Sequence, residues 1–294
     1  MLSILIPAFD WPLESLIQEL HHQGLQLGIP FEILVSDNCA QSNHSKENQK
    51  LNDLEGVDYR IDTQHLGRSA NRNHLGQRAQ YPWLLFLDSD AEIPSDSFLA
   101  HYVSCFDSAN VICGGTSYSD RVPESEFLLR YTIGKNKEER TAEDRNQSPF
   151  ASFSSFNFCI EKSIFEAIGF DESLTQYGHE DTLFGKSLKH NAARLIHIDN
   201  PANHVGLDDN QTFIEKTKTA VESLQKLMED GKVDEDITLY KWYLRVKKYG
   251  MVTPMSLLFD YRHAFWEKKL ASTPDTKVYD LYKLSYLAKL EKSQ

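Results

Sequence analysis

Apolar positions change texture along the chain. Up to Gly206 they come in short runs separated by helical stripes; beyond Gln211 only the stripes remain. The run Trp83-Leu-Leu-Phe-Leu87 is unbroken and passes straight into Asp88-Ser-Asp90. A run of that length without alternation suits the centre of a parallel sheet, where both faces are covered. Leu2 to Ile6 and Phe31 to Val35 read as two further buried strands, the second leading to Asp37, and Val57 to Ile61 alternates as a third. Between them Leu13, Leu16, Ile17 and Leu20 recur at helical spacing, and Asp10 and Pro12 suit the start of that helix. Gly67-Arg-Ser69 turns into a short helix carrying Arg72, Leu75 and Ala79. Strand and helix thus alternate, which predicts an α/β fold with a mostly parallel, doubly wound sheet.

Further on, Ser95 is expected to cap a helix whose Phe98, Leu99, Tyr102, Val103 and Phe106 share a face. Val111 to Gly115, the Phe153 to Ile160 stretch and Leu195 to Ile198 read as strands, and Ile164 to Ile168 as a helix stopped by Gly169. Glu180 and Asp181 fall in the first turn of a helix that carries Leu183, Phe184 and Leu188. Gly134 to Asn146 is so polar that the spacing predicts a mobile loop, with Arg121 to Phe150 as a lid. Ser45 to Asn52 reads as a polar insertion without evident role. Helices are expected over Thr238 to Tyr249, Pro254 to Leu270 and Thr276 to Leu290, after one whose Phe213, Ile214, Val221, Leu224 and Met228 line one face. The domain reading is residues 1–210 as the α/β domain and 211–294 as a C-terminal helical region.

Composition narrows the partners. Over 294 residues the net charge is -12, which opposes non-specific binding to nucleic acid. Cys39, Cys105, Cys113 and Cys159 form no Cys-x-x-Cys pair or zinc spacing, so four reduced thiols in a cytoplasmic protein are expected. No apolar run approaches a transmembrane span, and the N-terminus lacks a basic leader region. Leu257 to Lys269 mixes aromatic with basic residues; an ordinary packed helix is the favoured reading, and peripheral contact with the inner face of a membrane is the alternative. Nothing in the sequence fixes the oligomeric state.

Asp88 and Asp90 carry the first candidate chemistry. At the carboxyl end of a buried strand their oxygens can converge on one hard cation that also holds a diphosphate, the position where open α/β sheets collect ligands. The plain alternative is that they cap the following turn. Asp37, the Glu180-Asp181 pair and His204 stand at the same kind of position, after a strand or at a helix start.

Taken with Ile4-Leu-Ile-Pro-Ala-Phe9, Ile33-Leu-Val-Ser-Asp37, Leu66-Gly-Arg-Ser-Ala-Asn-Arg-Asn73, Leu85-Phe-Leu-Asp-Ser-Asp90, Gly169-Phe-Asp-Glu172 and Tyr177-Gly-His-Glu-Asp181, the chain resembles the inverting family 2 glycosyltransferases of the GT-A fold over roughly residues 2 to 206. The resemblance implies a metal-dependent enzyme that moves a sugar from a nucleotide-diphosphate donor, with UDP-sugars favoured, to a hydroxyl of a saccharide or lipid-linked saccharide. It implies Mn2+ or Mg2+ at Asp90, with Asp88 and His204 as further ligands. Asp181 becomes the general base and Glu180 the group that holds the acceptor. Pro7, Ala8, Phe9, Asp10, Asp37, Gly67, Arg68, Arg72, Asp88 and Ser89 become nucleotide-binding, Asp37 toward the base and Arg72, more than Arg68, toward the diphosphate.

Two departures stand out. Asn38 replaces the second of the usual paired acids, and Cys39 the usual following glycine. A phosphatase of the haloacid dehalogenase type is disfavoured, because Glu92 stands two residues after the second acid. A sugar-nucleotide pyrophosphorylase would want a Gly-rich, basic N-terminal loop that is missing here. A catalytically inactive scaffold on the same fold is the remaining alternative, and four clustered acids count against it.

Overall fold

The computed structural model describes residues 1–62, 66–174 and 177–292, and these pack as two compact units. The first comprises Met1–Ser117, Arg140–Thr175 and Glu180–Gly206; the second comprises Tyr118–Glu139, Gln176–His179 and Leu207–Gln294. Residues 118–139 therefore belong with the C-terminal helices, a correction to the 1–210 boundary. The reason is local: Leu129 and Ile133 are buried in one cluster with Phe213, Phe259 and Tyr282.

In chain order the elements are β1 (Leu2–Ala8), α1 (Glu14–Gln26), β2 (Phe31–Asp37), α2 (Ser45–Gln49), β3 (Val57–Ile61), α3 (Arg68–Arg78), β4 (Trp83–Leu87), β5 (Ala91–Glu92), α4 (Phe98–Val103), β6 (Val111–Cys113), β7 (Thr116–Ser117), α5 (Leu128–Lys137), α6 (Ala142–Asn146), β8 (Asn157–Glu161), α7 (Lys162–Ile168), α8 (Glu180–His190), β9 (Leu195–His197), β10 (Ala202–His204), α9 (Asn210–Glu229), α10 (Thr238–Lys248), α11 (Val252–Ser272) and α12 (Thr276–Lys292).

A seven-stranded sheet of order β3-β2-β1-β4-β8-β6-β9 forms the centre of the first unit. All neighbours run parallel except around β8, which is antiparallel to both β4 and β6. The apolar runs are explained by cover on both faces: along β1, Leu2, Ile4 and Ile6 enter one core with α1 and α4, while Leu5 enters another with α3, α7 and α8. Six phenylalanines fill the second core, with Phe170 stacked on Phe184 at 4.2 Å between ring centres. A separate sheet of three very short strands, β5-β10-β7, lies beyond the end of β4 in the chain. Gly169 ends α7 at φ 60, a left-handed turn that suits glycine.

Four local expectations are corrected. Asp10 does not cap α1: the Leu13 amide donates instead to Asn48 Oδ1 at 3.1 Å, and Asn48 Nδ2 donates to the Trp11 carbonyl. The Ser45 to Asn52 stretch thus has a role, since Asn48 on α2 caps α1 and Asn52 brackets Tyr59 on β3. Ser95 accepts from the Ser97 amide one turn early, and α4 starts only at Phe98. The expected mobile loop is helical, as α5 and α6: Thr141 caps α6, and Arg145 is 5% exposed. Its guanidinium donates to the carbonyls of Cys113, Gly114 and Ile198 and to Nδ1 of His197. Burial and that cation hold His197 neutral, down to about 4.

In the second unit α9, α11 and α12 pack around Phe213, Trp266, Tyr279 and Tyr282. Asp209 caps α9 by accepting from the amides of Gln211 and Thr212. Residues 177–179 are tied to α9: Ser223 Oγ donates to the Tyr177 carbonyl, and His179 Nε2 to the Ala220 carbonyl at 3.0 Å. No described helix is long and apolar enough to cross a membrane.

Candidate active site

Register aligns the candidate residues on one edge of the large sheet. Ala8 pairs with Asp37, so the turns after β1 and β2 leave the sheet side by side, and Asp88 follows the last residue of β4. Asp37 is fully buried, with both oxygens engaged within the chain: Oδ2 accepts from the Tyr59 hydroxyl at 2.7 Å, Oδ1 from the amides of Cys39 and Asp10 at 3.2 and 3.4 Å. Burial first, and then the bond to Asp37, push the Tyr59 phenol up. Asp10 sits in the left-handed region at φ 47 and accepts from the Asn43 amide and side chain, and this pairing keeps its carboxyl low. Phe9, beside it, is exposed. The departure at Asn38 has a structural reason: its side chain donates to the Leu66 carbonyl and accepts from the Leu66 amide, and an aspartate could only accept. Leu66 and Gly67 are thereby fastened ahead of α3, whose N-terminus has no side-chain cap.

Arg72, on α3, is the electrostatic centre. It is 3% exposed, its NH2 donates to Asp88 Oδ1 at 2.6 Å, and its guanidinium lies 5.6 Å from the Phe170 ring centre. Burial alone would lower its pKa, but the charges of Asp88, Asp181 and Glu180 outweigh that and raise it. Arg68, one turn earlier, is half exposed and reaches Glu180 at 3.7 Å. Asp88 is pushed up, burial and the neighbouring Asp90 outweighing Arg72.

Asp181 is held by Ser155, which donates from both hydroxyl and amide. Its Oδ1 is buried and accepts no hydrogen bond from the described residues. Burial, then the adjacent Glu180 charge, raise its pKa, with Arg72 and Ser155 pulling the other way. A carboxylate with one oxygen anchored, the other without a hydrogen-bond partner and its basicity enhanced is suited to accept a proton.

The small sheet assembles the remaining pair. Antiparallel pairing sets His204 against Ala91, so the imidazole falls beside Asp90: Nε2 lies 3.4 Å from Asp90 Oδ2, and the Val205 amide donates to the Asp90 carbonyl at 3.0 Å. The ring packs on Phe156. Gly206 completes the corner, because a Cβ there would meet Asp90 Oδ2 at 2.5 Å and Asp90 Cβ at 2.6 Å. Asp88 turns to Arg72 while Asp90 turns to His204, so the three expected metal residues do not form one cluster, and no group of three metal-binding side chains occurs among the described residues. Two protein ligands nonetheless fit the cation. Donors on adjacent octahedral positions at about 2.1 Å from a metal stand about 3 Å apart, close to the Asp90–His204 spacing, and Mg2+-type ions complete their shells with water and substrate phosphates.

Ser155, Gly206, Phe170 and Asn38 are site residues that sequence reasoning missed. Asn38 was visible as a departure from the paired acids and Phe170 within Gly169-Phe-Asp-Glu172, but neither pattern shows the contact each makes; Gly206 follows His204 closely in Asn203-His-Val-Gly206, and Ser155 carried no signal. Pro7, Ala8 and Ser89 lie on the same edge, at the ends of β1 and β4.

Residues 3–169 match the family described as Glycosyl transferase family 2. The fold is shared with the mannosyltransferase PcManGT from Pyrobaculum calidifontis, in complex with GDP-Man and Mn2+, at TM-score 0.56 and 14% identity, covering 99% of this chain and 86% of that one. It is shared also with S. aureus TarS 1-349 in complex with UDP-GlcNAc, at TM-score 0.53 and 17% identity, and with UDP, at 0.52 and 18%, each covering 100% of this chain and 92% of that one. At such identities the likeness is one of fold. No curated protein matches the sequence.

Proposed function

The chain belongs to glycosyl transferase family 2 and is an enzyme of the glycosyltransferase class on a GT-A fold, and from that premise we propose an inverting transfer from a UDP-sugar to a hydroxyl of a saccharide or lipid-linked saccharide. The observation that carries this reading is Asp181, anchored by Ser155 and left with a buried, unpartnered Oδ1. Asp181 takes the proton of the acceptor hydroxyl as that oxygen attacks the anomeric carbon from the face opposite the nucleotide. Glu180, steered by Arg68, orients the acceptor. Arg72 offsets part of the charge that Asp181 and Asp88 would place beside one another, and together with the uncapped start of α3 at Gly67 it attracts the diphosphate.

Asp90 and His204 would hold Mn2+ or Mg2+, with Asp88 bordering them and Ser89 between in the chain. A divalent cation bound there supplies positive charge against the departing nucleoside diphosphate. The likeness to structures bound to GDP-Man with Mn2+ and to UDP-GlcNAc supports both the nucleotide-sugar donor and the metal. Asp37 acts through the turns it ties, so that Pro7, Ala8, Phe9 and Asp10 frame the nucleotide base. The reaction takes place in the cytoplasm or at the inner face of the membrane.

Calorimetry tests the metal-dependent donor site. UDP binding is expected to be strengthened by Mn2+ and weakened in Asp90→Ala; equal affinity with and without metal would contradict it.

A further inference from the structure

We propose that the outer face of α11, with the α10–α11 turn, docks the protein on an anionic lipid surface. Helix α11 has two apolar faces. One, carrying Phe259, Trp266 and Leu270, is buried in the core of the second unit. On the other, Leu257, Tyr261 and Phe265 follow at intervals of four, which stacks them as one stripe, and they are 56%, 84% and 56% exposed. A helix that is apolar on more than one side while only one side is buried has a second surface to satisfy.

Charge identifies what satisfies it. The whole chain carries -12, yet between Thr238 and Ser272 there are seven basic residues against two acids. Both acids are neutralised from within: Asp260 by Lys289 at 2.5 Å, Glu267 by Lys218 at 2.8 Å and by the Tyr282 hydroxyl. Arg262 and Lys268 make no ion pair among the described residues, and neither do Arg245, Lys247 and Lys248 at the end of α10. The surface is therefore a cationic island on an acidic protein, complementary to an anionic plane.

Arrangement favours a bilayer over a protein groove. The Arg262 guanidinium lies 5.8 Å from the Tyr261 ring centre and 5.4 Å from that of Phe265, and Arg245 lies 4.5 Å from the Trp242 ring centre. Ring and cation thus present together. That composition suits the interface, where rings sink to the acyl boundary and guanidinium groups meet phosphates. Tyr249 and Met251, exposed on either side of Gly250, extend the same composition into the turn. The inference deepens the membrane-side reading of the proposed function, but it rests on residues outside the candidate active site.

Co-sedimentation of the full chain with vesicles tests it. Binding is expected to vesicles of phosphatidylcholine containing phosphatidylglycerol, to be far weaker with phosphatidylcholine alone, and to fall as salt is raised. Arg262→Glu with Lys268→Glu, and separately Tyr261→Ser with Phe265→Ser, should each weaken that binding by about tenfold or more. UDP binding should stay unchanged in both, which certifies their folding and separates failure of this inference from failure of the transferase reading. Absence of vesicle binding by the native chain, or binding untouched by both variants, would overturn the inference. So would a native dimer that the variants convert to monomer without any vesicle binding, since the face would then serve self-association.

Discussion

Asp181→Asn is expected to cut sugar transfer by about 10²-fold or more while leaving donor binding and folding intact. The amide keeps the size and the oxygen that accepts from Ser155, but it cannot take the acceptor's proton. Stability separates this role from a structural one. The folded-state pKa of Asp181 is raised above its unfolded value, so ionising it in place costs stability. That cost appears as pH rises past the unfolded value and is fully present above the folded one. At neutral pH the neutral amide removes it, and the melting temperature should hold or rise. A carboxylate serving only the dipole of α8 would do the reverse, losing roughly 0.3–1 kcal/mol with turnover unchanged. The same raised pKa predicts that native activity falls off on the acid side at a pH above the ordinary aspartate range. Turnover, melting and pH profile measured on one preparation decide the matter.

Arg72→Met should produce the largest loss of stability. The methionine retains an apolar stem against Phe170 but leaves Asp88, Asp181 and Glu180 without the buried cation they share. Removing one partner of a buried pair costs about 3–5 kcal/mol, and about 3 is expected here because Asp88 keeps 28% of its side chain exposed. Without Arg72 the pKa values of Asp88 and Asp181 rise further, so the penalty should shrink as falling pH protonates them. Urea unfolding near neutral and at mildly acid pH measures both effects. A loss below about 1 kcal/mol that is the same at both would show that Arg72 does not carry this charge.

What the sequence made legible follows from how each feature is built. The strand before Asp88 is local, five apolar residues meeting two acids, and the large sheet repeats that logic at β1 and β2. Glu180 and Asp181 at the head of α8 could be read in the same way. The Asp90–His204 pair could not, because it depends on strands two or three residues long, too short for any period to register. Helices α5 and α6 were hidden by their solvated faces: Leu129, Ile133, Gly134, Ala142 and Arg145 are the buried positions, and one of those is a cation satisfied by carbonyls rather than by an acid. Ser155 acts through a tertiary contact with no sequence spacing behind it. In α11 the apolar residues were visible while their division into a buried and an exposed face was not, since the pattern is apolar on more than one side.

The central claim, that this site performs inverting sugar transfer, is tested most directly by the anomeric form of the sugar released from α-linked UDP-sugars. With Mn2+ and no acceptor, slow hydrolysis followed by proton NMR should yield the β-anomer first, before mutarotation, and Asp181→Asn should suppress it. First appearance of the α-anomer would contradict inversion, and with it the role given to Asp181.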